Sequence, residues 1–540
     1  MTRFCVYSAT MSPPSSPGGV ASPTAGPPQY GAPAAPSPAL EVKPTPGATP
    51  TAPKRRRQRV LVAAVIPCYN RPDDVRKLLG DLSRLDARGV DLWIVVVDNA
   101  STQPISDLLT PEGLKVEHLR LDKNTGGSGG FNAGMAHILR GDGISALRES
   151  PDFLWLLDSD VRVTRRALRP LVRALLSRPD LAAVGSALVD SLTGVTYEIG
   201  GRLNPSNGYF VPAARGDVDK RLLVPADYLA ACSALVRRQA IEKTGCMPDI
   251  FIHGDDVEWF LRMTRATGLG VAGVPTSRVF HPLWSRKFQT WARYYTTRNS
   301  YAPIAVCGFG PLTRLRRSSV DVVRATAQAL MGMPELGDLH LQGLGDAAQG
   351  RLQGFGPRGG IGSIAGVAKV RPFSDLAVTV RAELAAPGSR GRLYFHPMLA
   401  ACAIDFPGLP GQMALLGARW TEEDLAPWRR RALHSRTLRD MLDAMGRWIM
   451  AGVRGWSADV AVVPTGWPTS WFRGRVLVQV TSDGFFVRKI SRGGTLRHAV
   501  RILLTGARLI AKVTLRGPRA NDFPPAPTRQ TPLPSRRAGR

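Results

Sequence analysis

The sequence predicts an α/β fold with a mainly parallel sheet flanked by helices, and three observations predict it. Short apolar, β-branched runs alternate with stretches whose apolar positions recur at helical spacing. The first four runs each lead into an Asn or Asp, as expected where a parallel sheet presents a ligand site at the carboxyl ends of its strands. The composition is globular: of 540 residues, 44% are apolar and 21% charged. That balance excludes a collagen, a coiled-coil rod or a wholly disordered chain.

The elements follow in order. Residues 60–66 (VLVAAVI) form a buried strand, and Asn70 lies just beyond it. A helix is expected over 72–88, with Val75, Leu78, Leu79, Leu82 and Leu85 on one face. Strand 92–97 ends at Asp98, and strand 116–121 leads to Asn124. The glycines of 126–130 read as a turn that opens a helix over 131–139. Strand 153–157 (FLWLL) runs into Asp158-Ser159-Asp160; helix 166–177 and strand 181–187 follow.

The ends of the chain have a different texture. Residues 1–57 are rich in Pro, Ala, Ser and Gly and close on Lys54-Arg55-Arg56-Arg57; they are expected to be disordered. Residues 58–310 are expected to form the α/β domain, 311–516 a C-terminal region, and 517–540 a disordered tail. Glycines crowd 332–366, which reads as a linker, and helical patterning returns over about 421–453. The net charge is +29, about two thirds of it after residue 311. Such a surplus favours anionic partners: nucleic acid, nucleotide sugars or acidic lipid. Residues 494–516 form a basic amphipathic helix, with Arg497, Arg501, Arg508 and Lys512 on one face and Leu496, Val500, Leu503, Ala507 and Ile510 on another. It suits either packing on its own domain or lying in the plane of an acidic membrane.

Six scattered cysteines form no CxxC pair and no zinc spacing, so thiols in a reducing compartment are expected. No secretory signal and no apolar run of about 18 residues is present, so a cytoplasmic protein without a spanning helix is expected.

Several motifs carry chemistry. Pro67-Cys68-Tyr69-Asn70-Arg71 turns from strand to helix and could hold a base or phosphate; a plain helix cap would look the same. Asp98 could accept hydrogen bonds from a base or ribose, or cap a helix. Asn124-Thr125-Gly126-Gly127-Ser128-Gly129-Gly130 lets backbone approach a ligand, but it matches neither the dinucleotide fingerprint nor the Walker loop. Asp158 and Asp160, separated by one residue at a strand end, can share Mg²⁺ or Mn²⁺ that bridges to phosphate. His253-Gly254-Asp255-Asp256 opens an amphipathic helix; its acids either favour the helix dipole or hold an acceptor hydroxyl and take its proton. Tyr294-Tyr295-Thr296-Thr297-Arg298-Asn299 offers either an arginine for a diphosphate or a helix interface.

Taken together, PCYNRPD, VVDNAS, NTGGSGGFNAGM, LWLLDSD, FIHGDDVEW, FHP and YYTTRN make residues 60–305 resemble the inverting glycosyltransferases of family 2, with their GT-A fold. The NTGGSGGF and DDVE segments are most similar to actinobacterial galactofuranosyltransferases and their rhamnosyltransferase-like relatives. The resemblance implies Mn²⁺ or Mg²⁺ on Asp158 and Asp160, with His281 as third protein ligand. It implies Asp256 as general base, with Asp255, His253 and Trp284 toward the acceptor. Pro67, Asn70, Arg71, Asp98 and Asn124 would line the nucleotide-sugar pocket with Asp158, and Gly127 and Ser128 would approach the diphosphate or sugar. The implied partners are a UDP- or dTDP-sugar and a polyprenyl-linked glycan at the inner face of the cell membrane, reached through the basic C-terminal helix. Oligomer formation is left open. Ser159 departs from the pattern of the galactan enzymes, which carry a third acid there.

Two other classes compete. A nucleotidyltransferase would also use a strand-end metal, but it needs a basic triphosphate loop near the first strand, and the PCYNRPD turn lacks one. A nucleic-acid-binding protein would fit the charge, yet no zinc pattern, basic zipper or RNA-binding aromatic motif occurs. No nucleic-acid partner is expected.

Overall fold

The structure is a computed structural model. It describes residues 59–105, 113–140, 150–216, 218–219, 222–282, 291–330, 334–352, 371–401, 408–418, 421, 425, 458–464, 476–481, 484–489 and 494–517. The expectations for residues 1–57, for the helical patterning over 426–453, for the 518–540 tail and for Trp284 fall outside these.

The chain opens with β1 (Val60–Cys68), α1 (Pro72–Leu82), β2 (Val90–Asp98), β3 (Lys115–Arg120), α2 (Gly126–Arg140) and β4 (Phe153–Leu157). Next come β5 (Arg162–Val163), α3 (Leu168–Ser177), β6 (Leu181–Asp190), β7 (Thr196–Ile199), β8 (Gly201–Leu203), β9 (Phe210–Pro212), β10 (Val224–Ala226) and β11 (Ser233–Arg237). Then follow α4 (Arg238–Thr244), α5 (Asp255–Thr267), β12 (Gly270–His281), α6 (Ala292–Asn299) and α7 (Tyr301–Val306).

One sheet organises this half in the order β10-β12-β6-β11-β4-β1-β2-β3, with β5 on β12 and β7 on β6. Strands β4, β1, β2 and β3 run parallel, as do β6 and β12. Strand β11 is inserted antiparallel between β4 and β6. The sheet is therefore mainly parallel, as expected, with an antiparallel strand that the motif pattern does not reveal.

Both faces are covered, which explains the unbroken apolar texture of the strands. Alternate residues of β1 point to opposite faces. Val62, Ala64 and Ile66 pack with Val75, Leu78 and Leu79 of α1 and Leu171 and Leu175 of α3. Ala63 and Val65 pack with Phe131, Met135 and Ile138 of α2 and with Trp259 and Phe260 of α5. Each of the larger aliphatic side chains and Phe131, fully buried, contributes roughly 1.5–3 kcal/mol of hydrophobic transfer.

Helix α1 starts with Pro72 and two acids in its first turn, but it ends at Leu82, short of the expected 88. Beyond it, Asp86 is held by Arg88 and Arg169 in a loop. The larger difference is at α2, where the glycines expected to form a turn are the helix itself. A Cβ on Gly134 would collide with Val65 and Val97, and one on Gly130 would lie 2.6 Å from Pro67 Cβ. Small residues four apart thus let α2 lie directly against the sheet.

The C-terminal half has α8 (Pro311–Leu330), α9 (Pro334–Ala347), α10 (Leu376–Ala385), β13 (Leu393–Phe395), α11 (Pro397–Ala401) and α12 (Leu409–Leu415). It continues with β14 (Val460–Pro464), β15 (Val476–Thr481), β16 (Gly484–Lys489) and α13 (Gly494–Arg516). Strands β13 to β16 form a second, four-stranded sheet packed with α10, α11 and α12. Helices α8, α9 and α13 pack on one another through Val322, Ala325, Leu341, Leu344, Ile502 and Val513. Helix α9 occupies part of the glycine-crowded segment expected to be a linker: Gly337 sits against the Ala325 carbonyl and Gly343 against that of Tyr294. Among the described residues, no helix is long and apolar enough to cross a membrane.

Candidate active site

The ends of β1, β2 and β4, the start of α2 and α5, and the end of β12 supply the residues singled out above. The loops after β1 and β2 are stapled together. Asn70, at φ 54°, donates its backbone N–H to Ser101 Oγ (2.9 Å) and accepts from the Thr102 N–H through Oδ1 (2.8 Å). Asp98 is buried; its carboxylate accepts from the N–H groups of Ser101 (2.8 Å) and Ile105 (3.3 Å) and pairs with Arg120. Its oxygens thus already organise the loop, whatever else they meet. Asn99 accepts from the Thr125 N–H (2.8 Å) and donates to the Gly126 carbonyl (2.8 Å), joining β2 to α2.

At α2, Asn124 Oδ1 accepts from the Gly126 N–H (2.9 Å). Ser128 is fully buried; its N–H reaches the Phe251 carbonyl (3.3 Å), and its hydroxyl has no hydrogen-bond partner. Gly127 is the more open position, with Ile252 3.9 Å from where a Cβ would stand. Pro67 packs under Gly130.

The strand-end acids meet the distant histidine. Asp158, Asp160 and His281 each offer a ligand atom, all within 4.8 Å of one another. His281 ends β12, whose register sets it opposite Asp190 of β6. Its Nε2 lies 3.5 Å from Asp160 Oδ1 and has no hydrogen-bond partner, while its Nδ1 meets the Tyr197 hydroxyl at 3.0 Å. Arg71 Nη1 stands 3.6 Å from the other oxygen of Asp160. Two carboxylates and an imidazole whose inward nitrogen lacks a hydrogen bond are a donor set that fits a divalent cation such as Mn²⁺.

The second acid pair sits in a drier place. Residues 250–254 enter α5 through left-handed backbone at Phe251 (φ 72°), His253 (φ 66°) and Gly254 (φ 81°). Asp255 is buried, and burial followed by the charge of Asp256 raises its carboxyl well above the usual range. Asp256 accepts from the Ala231 N–H (3.3 Å) and from the Val257 N–H (2.8 Å). Burial pushes it up to about 6 against those two hydrogen bonds, and Asp158 adds to the rise. Asp158 and the pair are therefore near enough to feel one another's charge. Both acids lie in the first turn of α5, where the helix dipole favours their charge, yet burial outweighs it and raises both carboxyls.

A third carboxyl joins them. Burial, then the charge of Asp256, raises Glu198 on β7 to about 8, which keeps it protonated at neutral pH. His253 is half-buried, its ring 6.4 Å from that of Trp291.

Of the two readings of YYTTRN, helix packing describes α6. Arg298 is 1% exposed; it donates to the Ile250 carbonyl (2.9 Å) and lies over Tyr294 and Tyr295, which removes it from any diphosphate role. Asn299 donates to the carbonyls of Ile250 (2.9 Å) and Ile252 (2.6 Å), and Tyr295 stacks on Phe251 at 5.0 Å. The helix thus clamps the strained loop from behind.

Residues 63–245 match the family described as Glycosyl transferase family 2. The chain is a glycosyltransferase whose residues 63–245 form a family 2 domain. It is 26% identical over 243 residues to the galactofuranosyltransferase GlfT1 of Mycobacterium tuberculosis (strain ATCC 25618 / H37Rv), covering 42% of this chain and 72% of that protein. It is 27% identical over 245 residues to GlfT1 of Mycolicibacterium smegmatis, covering 42% and 73%. Among solved structures, GalNAc-T7 with UDP, GalNAc and Mn²⁺ aligns with a TM-score of 0.36 and 14% identity, over 52% of this chain and 54% of that one. Staphylococcus aureus TarS 1–349 aligns at 0.34 and 12%, over 67% and 93%. At such scores the likeness carries no conclusion about this glycosyltransferase.

Sequence reasoning missed Tyr197 and Glu198. They lie in a four-residue strand with too few positions for any periodicity to show, and only its pairing with β6 brings them to the site.

Proposed function

We propose that this glycosyltransferase moves a galactofuranose- or rhamnose-like sugar from a UDP- or dTDP-linked donor to a hydroxyl of a cell-wall or polyprenyl-linked glycan, with inversion. The observation that carries the reading is the meeting of two unlike acid sites: Asp158, Asp160 and His281 in one, and the buried pair Asp255 and Asp256 in the other. The likeness to the GlfT1 proteins supports the furanose donor.

A divalent cation, Mn²⁺ or Mg²⁺, held by Asp158, Asp160 and His281 would offset the charge that develops on the donor's departing diphosphate. Arg71, beside Asp160, adds a fixed positive charge there. Pro67, Asn70, Asp98 and Asn124 line the nucleotide side, with Gly127 and Ser128 toward the sugar. Asp256 takes the acceptor's hydroxyl proton as the new bond forms; a carboxylate near 6 is ionised at neutral pH yet basic enough for the task. Asp255, whose burial favours the protonated form, donates a hydrogen bond toward the acceptor, and His253 and Trp284 are assigned to acceptor binding as well. Holding that hydroxyl in line behind the anomeric carbon supplies much of the rate. A single displacement then inverts the centre without a covalent intermediate. Residues 58–310 carry these steps, and a polyprenyl-linked acceptor sets the enzyme at the cytoplasmic membrane face, reached through α13.

The test is donor hydrolysis and transfer measured across a panel of nucleotide sugars, with and without Mn²⁺, comparing wild type with Asp158→Ala. Cation-dependent release of UDP or dTDP by wild type alone is expected. Consumption of a nucleoside triphosphate with a sugar phosphate would instead establish the nucleotidyltransferase.

A further inference from the structure

We propose that α8 and α13 together form a lipid-docking platform for an anionic membrane surface. This deepens the membrane-face placement above and rests on it only for the choice of leaflet.

Helix α13 is not a free amphipathic rod. It buries a third face, Ala499, Ile502, Gly506 and Val513, against α8 and α9. Gly506 meets Val322 and Gly517 meets Arg314, while Ala499 and Ile502 cluster with Ala325 and Ala329, so the two helices run antiparallel. Most of the apolar face expected to bind lipid remains in solvent: Leu496 is 66% exposed and Val500 and Leu503 about half, while Ile510 packs toward α8 and α9; Leu504 (62%) and Leu515 (78%) widen the exposed stripe.

Helix α8 does the same, although nothing in its sequence singled it out. Leu312 is 57% exposed and Val323 64%, with Leu315 and Leu330 beside them. At 100° per residue, the exposed stripe of each helix lies more than about a third of a turn from its buried one. Because the helices are antiparallel and share α9 beneath them, both stripes emerge on the same side, away from α9. The result is one apolar surface two helices wide, larger than the scattered single residues of an ordinary exterior.

Charge selects the occupant. Arg497, Arg508 and Lys512 are exposed along the edge of the α13 stripe. The two helices contain a single acid, Asp321, and it is buried between Arg317 and Arg324. A second copy would bring the same positive edge against itself, whereas acidic headgroups neutralise it while acyl chains take the leucines.

The experiment is co-sedimentation of the full chain with vesicles of phosphatidylcholine alone or mixed with phosphatidylglycerol. Two variants are compared with wild type: Leu312→Glu/Val323→Glu on α8 and Leu503→Glu/Leu504→Glu on α13. All four positions are exposed, so melting temperature and transfer to a soluble acceptor should stay unchanged. Wild type should bind the anionic vesicles, high salt should weaken the binding, and each variant should lower it at least tenfold. Failure of wild type to bind, or equal binding to both vesicle types, would overturn the proposal. So would wild-type binding by the α8 variant, which would leave α13 as a lone anchor. Concentration-dependent dimers abolished by the same variants, without vesicle binding, would assign the surface to a second copy. None of these outcomes bears on sugar transfer, which is read separately.

Discussion

Two pairs of aspartates stand within reach of each other's charge, yet their surroundings differ. Asp158 and Asp160 end a buried strand and open toward an arginine and an imidazole. Asp255 and Asp256 begin a helix, next to the protonated Glu198, where burial opposes their ionisation. The first setting favours carboxylates that stay charged and share a cation. The second favours acids that gain or hold a proton near neutral pH. The same residue type is thus assigned opposite work by hydration and neighbours, as environment commonly does with paired carboxylates.

The sharpest way to break this contrast is Asp256→Asn. Transfer should fall on the order of 10³-fold, the scale of a positioned general base, while cation affinity and donor affinity stay within about twofold. Equal loss of all three would erase the distinction between the pairs. The pH dependence follows from the same burial. Asp256 must be ionised to accept a proton, so kcat/KM should rise with pH through about 6 and level off above it. Its folded pKa lies above the ordinary carboxylate value, so ionisation weakens the fold: stability declines as pH rises from about 4 through 6. Asp256→Asn should therefore raise stability at pH 7, read as a higher melting temperature whose advantage vanishes near pH 4.

The other pair should fail differently. Asp160→Asn keeps the shape but removes a charge that two neighbours, Arg71 and His281, face. Mn²⁺ affinity should drop by about 10–100-fold, with a loss of turnover that added Mn²⁺ partly restores. Titration of Mn²⁺ by its electron paramagnetic resonance signal measures the affinity without any turnover. Unchanged affinity would move the cation away from this corner.

How much of this was legible depends on how each segment reports its burial. Strands β1, β2 and β4 were readable because a parallel sheet covered on both faces demands apolar runs, and an Asn or Asp follows each run closely; β3 (KVEHLR), half-buried at the sheet edge, carries a weaker signal. Asp158, Asp160, Asp255 and Asp256 stood out as charges beside such runs. His281 is separated from its partners by more than a hundred residues, so only the family resemblance pointed to it. Glycine misled twice. In α2 and α9 it reads as turn or linker because its helix propensity is low, yet Gly130 and Gly343 sit where any side chain would collide with a neighbouring element. Close packing overrode propensity, a tertiary fact that no local pattern contains. Helix α13 spans the expected 494–516, but two-sided patterning concealed its third, buried face.

The smallest expected effect separates holding a cation from aiming one of its ligands. Tyr197 touches His281 Nδ1 at 3.0 Å and is packed beside the sheet, so it fixes the ring with Nε2 turned to Asp160. Such outer partners of metal-binding histidines set ring orientation and tautomer. Tyr197→Phe removes one oxygen and leaves the packing. Mn²⁺ affinity should fall by about tenfold, less than for Asp160→Asn, and kcat at saturating Mn²⁺ should return nearly to wild type. A loss of kcat that saturating Mn²⁺ does not repair would place the tyrosine's hydroxyl at the reacting sugar instead, and would tie β7 to the base pair through Glu198 rather than to the cation.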